Sequence, residues 1–180
     1  MPAGTLTAND TLPQFAKLKG ADGKSYSSSD FGDRKVVVVV FSCNHCPYVR
    51  AYEKRMKDFQ KEYGPKGVQL VAINSNDAGS YPEDKYGKMV ERAKEQGFNF
   101  PYLRDEDQSV AEAFGATHTP QFFVFDGARK LRYSGKMDDN WEHPEKVKKN
   151  YLRDAVDALL AGENVEEPET YSIGCTIKWS

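Results

Sequence analysis

Residues 36–41 run five valines and a phenylalanine without a polar interruption, the pattern of a strand buried on both faces in a sheet covered by helices. The period then changes. Val49, Tyr52, Met56, Phe59 and Tyr63 recur at spacings of three and four, with Arg50, Glu53, Lys54, Lys57, Asp58 and Lys61 between them. That spacing predicts an amphipathic helix over residues 48–63, with Pro47 in its first turn, where no intrahelical donor is needed. Gly64-Pro65-Lys66-Gly67 breaks the helix, and residues 68–73 form a second apolar strand. A helix from residue 81 or 82 to 96 follows, stopped by Gly97; then come an extended piece at 100–103 and a small helix over about 109–114. Residues 121–126 read as a third strong strand, turning through Gly127-Ala128-Arg129-Lys130 into 131–134. A helix over 144–160 places Val147, Tyr151, Leu152, Ala155, Val156, Leu159 and Leu160 on one face. Ahead of the valine strand, the Gly20-Ala21-Asp22-Gly23 turn predicts an N-terminal hairpin, and Ser28, Ser29 or Asp30 caps a turn ending at Phe31-Gly32-Asp33. Strands alternating with helices, closed by a hairpin and a helix, predict a three-layer α/β/α arrangement.

At 180 residues the chain is read as one domain, 1–180, large enough to bury a core without disulfide staples. Residues 163–180 form a C-terminal tail: an acidic linker from Gly162 to Glu169, then a segment that turns apolar at Tyr171, Ile173, Ile177 and Trp179 and is expected to fold back on the body. Lys and Arg number 25 against 27 Asp and Glu, so there is no basic field to recruit nucleic acid. No apolar run approaches the length of a membrane span, and Met1-Pro2-Ala3-Gly4-Thr5 has the character of neither part of a leader peptide. The expectation is a cytoplasmic protein without a membrane partner. Three cysteines, an odd number, do not suggest a secreted disulfide framework, and in a reducing compartment they are more often catalytic than structural. Gly127 and Gly135 stand alone, no nucleotide loop is present, and no cofactor is expected.

The candidate chemistry lies where the valine strand ends. Cys43-Asn44-His45-Cys46-Pro47 puts Cys43 in the strand-to-helix turn and Cys46 at the edge of the first helical turn. Two intervening residues hold the sulfurs close enough to bond. A helix N-terminus favours thiolate over thiol, and a protonated His45 favours it further. The expected reaction is disulfide exchange, with Cys43 attacking a substrate disulfide and Cys46 resolving the mixed disulfide. A Cys-x-x-Cys pair is also half a zinc site, and Cys43, His45, Cys46 and Cys175 are then the candidate ligands for zinc or copper. No second Cys-x-x-Cys supplies the usual four, and no resident metal is expected. For Cys175 two readings stand: a third redox cysteine, if the tail docks by the turn, or a buried inert thiol.

Asp22-Gly23-Lys24, the Cys43 to Val49 stretch, Phe100-Pro101-Tyr102-Leu103, Thr119-Pro120 and the terminal Ile173-Gly174-Cys175-Thr176-Ile177-Lys178-Trp179 together resemble the peroxiredoxin-like branch of the thioredoxin-fold proteins over nearly the whole chain. The resemblance implies a thioredoxin fold with an N-terminal hairpin extension and a docked tail. It also implies a cis Pro120 facing the cysteines, with Thr119 offering its backbone to an extended substrate. His45 holds the position of the histidine that stabilises the thiolate of disulfide isomerases, and Asn44 beside it is expected to tune the pair or face the substrate. The implied partners are protein or small-molecule disulfides, or peroxides in an antioxidant role, with an external thiol as reductant. Departures from the pattern matter as much. Thioredoxins place a tryptophan where this chain has Ser42 and a buried acid where it has Val37, so water, His45 or an acid from elsewhere must move the proton. The threonine and arginine that steady a peroxidatic thiolate are also missing from their places, leaving Arg50, Arg104 and Arg132 as possible substitutes. The framework is thus peroxiredoxin-like and the expected chemistry thioredoxin-like, with thiol peroxidase activity as the alternative.

Overall fold

The valine run forms strand β3 (Val36–Ser42), and all seven of its residues are buried. The computed structural model describes residues 5–180; the expectation of no leader at residues 1–4 lies outside them. Val36, Val38 and Val40 point to one core with helices α1 (Pro47–Tyr63), α2 (Tyr86–Gln96) and α4 (Tyr151–Leu160). Val37, Val39 and Phe41 point to the other, with helix α3 (Ser109–Phe114) and the apolar side chains of Leu12, Phe15 and Phe31. Helices thus cover both faces, which is why the strand carries no polar alternation.

Around β3 the sheet has the order β2-β1-β5-β4-β3-β7-β8, built from β1 (Leu18–Gly20), β2 (Ser25–Tyr26), β4 (Val68–Asn74), β5 (Tyr102–Arg104), β7 (Gln121–Phe125) and β8 (Leu131–Gly135). β3, β4 and β5 are parallel neighbours, with Val36 opposite Val68 and Ala72 opposite Tyr102. β7 runs antiparallel to β3 and to β8, so the 121–134 hairpin closes one side. The N-terminal hairpin β1–β2 pairs antiparallel with β5 and extends the other side. Its turn is closed by the Gly20 amide donating to the Lys24 carbonyl at 2.7 Å, with Gly23 at φ +85°, a conformation that glycine adopts without strain. A separate two-stranded ribbon joins β6 (His118–Thr119) to β9 (Cys175–Thr176). This is an α/β thioredoxin fold with an N-terminal hairpin extension and a docked C-terminal tail.

Two helices are shorter than their periodicity suggests. Residues 82–84 form a separate 3-10 turn, and α2 begins only at Tyr86, after the extended Lys85. The physical reason is Asp84, whose carboxylate is wholly buried against Asn44, Asn74 and Asn76 and cannot stay on a continuous solvent-facing helix. Likewise residues 144–146 form a 3-10 turn and 147–150 are irregular, so Val147 is not on the α4 face. There the backbone pairs sideways with Asp139, Lys148 donating to its carboxylate at 3.0 Å and Lys149 accepting from its amide at 3.1 Å. In the tail, Ile177 is buried and Trp179 packs beside it. Tyr171 and Ile173, expected to pack too, are 92% and 44% exposed.

Candidate active site

Cys43 directly follows β3, and Cys46 is the N-cap residue of α1, with Pro47 opening the helix. The strand fixes the first cysteine and the helix the second, because Pro47 gives up no backbone bond there. The turn between them is held by Asn44, which is buried. Its amide donates to Asp84 Oδ1 at 2.8 Å and its side-chain Nδ2 to the Glu83 carbonyl at 2.8 Å. Its Oδ1 accepts from the Tyr102 hydroxyl at 2.7 Å, and its carbonyl accepts from Arg50 Nε at 3.0 Å. These four bonds hold Asn44, and with it the turn, in one geometry.

Asp84 is the residue that the sequence did not disclose. One acid among 27 carries no mark, and the position expected to hold a buried acid is Val37, which faces the core. The chain supplies the carboxylate from the loop after β4 instead. Asp84 accepts from Asn44 N, from Asn74 Nδ2 at 3.1 Å and from Asn76 Nδ2 at 3.0 Å, and its Oδ2 lies 2.8 Å from His45 Nδ1. His45 is stacked on Tyr81, with ring centroids 6.2 Å apart. The ligand-capable atoms of Cys43, His45 and Asp84 all lie within 4.8 Å of one another. Sulfur, imidazole and carboxylate are thus grouped in one place.

The two sulfurs share a hydrogen bond and their acidities separate. That bond, followed by burial and the Asp84 charge, pushes the Cys43 thiol far up, against a lowering contribution from the Thr119 hydroxyl. The same bond holds Cys46 well below the ordinary thiol range, helped by the Cys175 thiol and the backbone amides of Val49 and Cys175, against the opposing effect of burial. Cys46 is also the sulfur at the helix N-terminus. The sequence placed the activated sulfur at Cys43. In the structure the helix starts at Cys46, which lowers that thiol, and the Asp84 carboxylate stands nearer Cys43, which raises the other. The Tyr102 hydroxyl, wholly buried, is pushed well above its usual value by burial and then by the nearby Cys43 and Asp84.

Thr119 and Pro120 face this pair, and the bond between them is cis. Thr119 Oγ1 lies 3.6 Å from Cys43 Sγ, and the Thr119 carbonyl accepts from the Cys46 thiol at 3.5 Å. Over them lies the tail. β9 pairs antiparallel with β6, setting Cys175 opposite Thr119 and Thr176 opposite His118. Cys175 Sγ is 2.8 Å from Cys46 Sγ, and burial followed by the bond to Cys46 raises its thiol. With the tail in place Cys43 and Cys46 are 1% and 0% exposed.

Other candidates go elsewhere. Arg104 donates to the carbonyls of Asn74, Asp84 and Asn76, and Arg132 to Asp126 and Asn164. Together with Arg50 on Asn44, these bonds hold loops and do not reach a sulfur. Of the four ligands considered for a metal, Cys43 and His45 meet in one group, completed by Asp84 rather than by Cys46 and Cys175. Both Asp84 oxygens already accept hydrogen bonds from the asparagines, so a cation there would have to displace them. Phe122, Phe123, Phe125 and Tyr133 are buried in the cores, and Trp141 lies against Tyr48. Among the described residues, no helix is long and apolar enough to cross a membrane.

Comparison with known proteins places these features in a lineage. The Redoxin family model matches residues 7–152. The crystal structure of a hypothetical protein from Sinorhizobium meliloti is 38% identical, covering 98% of this chain and 97% of its own, with a TM-score of 0.90. A thiol-disulfide oxidoreductase of Geobacillus thermodenitrificans is 25% identical over 149 residues, 79% of this chain and 79% of its own length. A chloroplastic peroxiredoxin Q of Oryza sativa is 26% identical over 150 residues, 79% of this chain and 64% of its own length.

Proposed function

The chain belongs to the Redoxin family, and on that premise we propose that it is a thiol-disulfide oxidoreductase exchanging disulfides through Cys43 and Cys46. The observation that carries this reading is the pair of buried cysteines at the end of β3 and the start of α1, facing Thr119 and the cis Pro120. In the forward direction a thiolate attacks one sulfur of the substrate disulfide and the first substrate thiol leaves. The second cysteine then attacks the enzyme sulfur of the mixed disulfide, the second substrate thiol leaves, and the enzyme holds a Cys43–Cys46 disulfide. Two electrons pass to the substrate, and an external thiol returns them.

The sequence order, Cys43 attacking and Cys46 resolving, requires the charge to form beside the Asp84 carboxylate. Charge on Cys46 at the helix N-terminus supports the reverse order, with Cys46 as the attacking sulfur and Cys43 as the resolving one. His45 and Asp84 form the proton-handling pair beside Cys43, and Asn44 holds the turn. The substrate is an extended segment carrying a disulfide, laid against the β6 edge at Thr119. Residues 1–180 act as one unit, and the odd number of cysteines suits a cytoplasmic, reducing setting.

The test is reduction of insulin disulfides with dithiothreitol as electron source, followed by turbidity. The native protein accelerates precipitation, and Cys46→Ser abolishes the acceleration, as does Cys43→Ser once Cys175 is also replaced by serine. Mixed-disulfide trapping then separates the two orders. With Cys175 also replaced by serine, Cys43→Ser retains substrate on Cys46 if Cys46 attacks; substrate retained only by Cys46→Ser, on Cys43, restores the sequence order.

Peroxide reduction is the second reading, favoured by the likeness to peroxiredoxin Q and by the low-pKa thiolate at the helix start. In it Cys46 takes an oxygen from the peroxide, releasing water or an alcohol, and Cys43 condenses with the sulfenic acid to expel water. Hydrogen peroxide consumption no faster than that of free thiol removes this reading.

A further inference from the structure

The tail that covers the site is fitted to it on both sides of its cysteine. At position 174 a Cβ would lie 2.1 Å from the Thr119 carbonyl oxygen and 2.7 Å from its carbon, so only glycine allows the strand to lie flush on the cis Thr119-Pro120 edge. Next to it, Cys175 pairs with Thr119 in an antiparallel register, and its sulfur stands 2.8 Å from Cys46 Sγ. Beyond it, Ile177 is buried, its amide donating to the Thr117 carbonyl at 2.9 Å, and the Lys178 carbonyl accepts from the Asp77 amide at 2.7 Å and from Gln108 Nε2 at 2.8 Å. Upstream, the Thr170 amide donates to the Ser134 carbonyl at 3.0 Å. A cysteine that merely filled space would not require a bare glycine before it and backbone anchors on either side. Cys46 packs in one cluster with both other cysteines and is hydrogen-bonded to Cys175.

We propose that Cys175 is a third redox cysteine of this protein, forming a Cys46–Cys175 disulfide, and that residues 174–177 take the place of the substrate strand when it forms. The proposal rests on the disulfide-exchange reading for its substrate but not for the bond itself. After Cys46 has formed a mixed disulfide with substrate, the Cys175 sulfur attacks Cys46 Sγ. The Cys46–Cys175 bond forms, the bond to substrate breaks, and the departing substrate sulfur takes the proton that Cys175 gives up. Cys43 then attacks Cys46 Sγ, the Cys43–Cys46 bond forms, and Cys175 leaves as a thiol carrying the proton lost by Cys43. This second step is an isomerisation with no net electron transfer. Tail and substrate compete for one strand edge, so the step that resolves the mixed disulfide also displaces the product.

The experiment oxidises the full-length protein with millimolar oxidised glutathione, followed by acid quench, alkylation and tryptic mapping. Cys43 and Cys46 lie on peptide 36–50 and Cys175 on peptide 154–178, so the two bonds are read separately. In Cys43→Ser, linked peptides 36–50 and 154–178 should exceed glutathionylated Cys46 by roughly tenfold or more, because a positioned intramolecular thiol outcompetes millimolar glutathione. In Cys46→Ser the cross-link should be absent. In Gly174→Ala on the Cys43→Ser background it should fall by about tenfold, since the added methyl group lifts the strand from Thr119. Glutathione on Cys46 with Cys175 free in Cys43→Ser overturns the proposal, as does a Cys43–Cys175 link in Cys46→Ser. Insulin reduction by the native protein separates the two readings: a cross-link without insulin reduction retains the third cysteine and removes the exchange function, and the opposite pair of results does the reverse.

Discussion

Asp84 adds to the electrostatics at Cys43, after the bond to Cys46 and burial, from a position that nothing in its own neighbourhood advertises. Its negative charge raises the Cys43 thiol, and the Thr119 hydroxyl lowers it. Opposite shifts should follow from removing each. With Cys43 as the only thiol, in a Cys46→Ser, Cys175→Ser background, Asp84→Asn should move the pH midpoint of iodoacetamide alkylation downward and Thr119→Val should move it upward. Equal midpoints in the two variants would mean that neither group addresses Cys43. Asp84→Asn should also cost about 1–3 kcal/mol of stability in urea unfolding, because a side-chain amide then meets the Asn74 and Asn76 donors and leaves one unpaired. The sequence did single out His45, but the tertiary structure sets its partner. It pairs with a carboxylate as well as standing near sulfur, so its effect on the thiols is inseparable from that of Asp84.

Elements carry the second level of the design. β3 was legible because six consecutive apolar residues admit only a position between two covered faces. Val38→Ala and Val39→Ala, on opposite faces, should each destabilise the protein by about 2 kcal/mol, measured as a shift in the denaturant midpoint. A loss at only one of the two would show that one face is open. Phe59→Ala, in the middle of the buried stripe of α1, should cost about 3–5 kcal/mol. The periodicity of α1 holds through its full length, since Tyr52, Met56, Phe59 and Tyr63 pack in the core of the sheet and Val49 packs against Cys43 and Cys46. It misleads at α2 and α4, where Asp84 and Asp139 draw the first turns into side-chain contacts that a repeat of 3.6 cannot register.

At the scale of the whole molecule the tail decides whether the site is open. Its hold on Ile177 and on the backbone of Lys178 is local and moderate, of the kind that opens without global unfolding. Ile177→Asp should therefore speed labelling of reduced Cys46 by N-ethylmaleimide roughly 10–100-fold, the loss expected from burying a charge in place of an isoleucine, with little change in circular dichroism. An unchanged rate would mean that the tail does not gate the sulfurs. The sequence by itself determined the strand-turn-helix that carries Cys43 and Cys46 and the buried sheet around it, because periodicity is a local property, while Thr119-Pro120 was implied by the family resemblance. It left open where Cys175 would go and which acid would stand by the pair. Those were decided only in three dimensions: Asp84 reaches Cys43 from the loop after β4 and Cys175 reaches Cys46 from the end of the chain, and burial and charge act through space regardless of sequence separation.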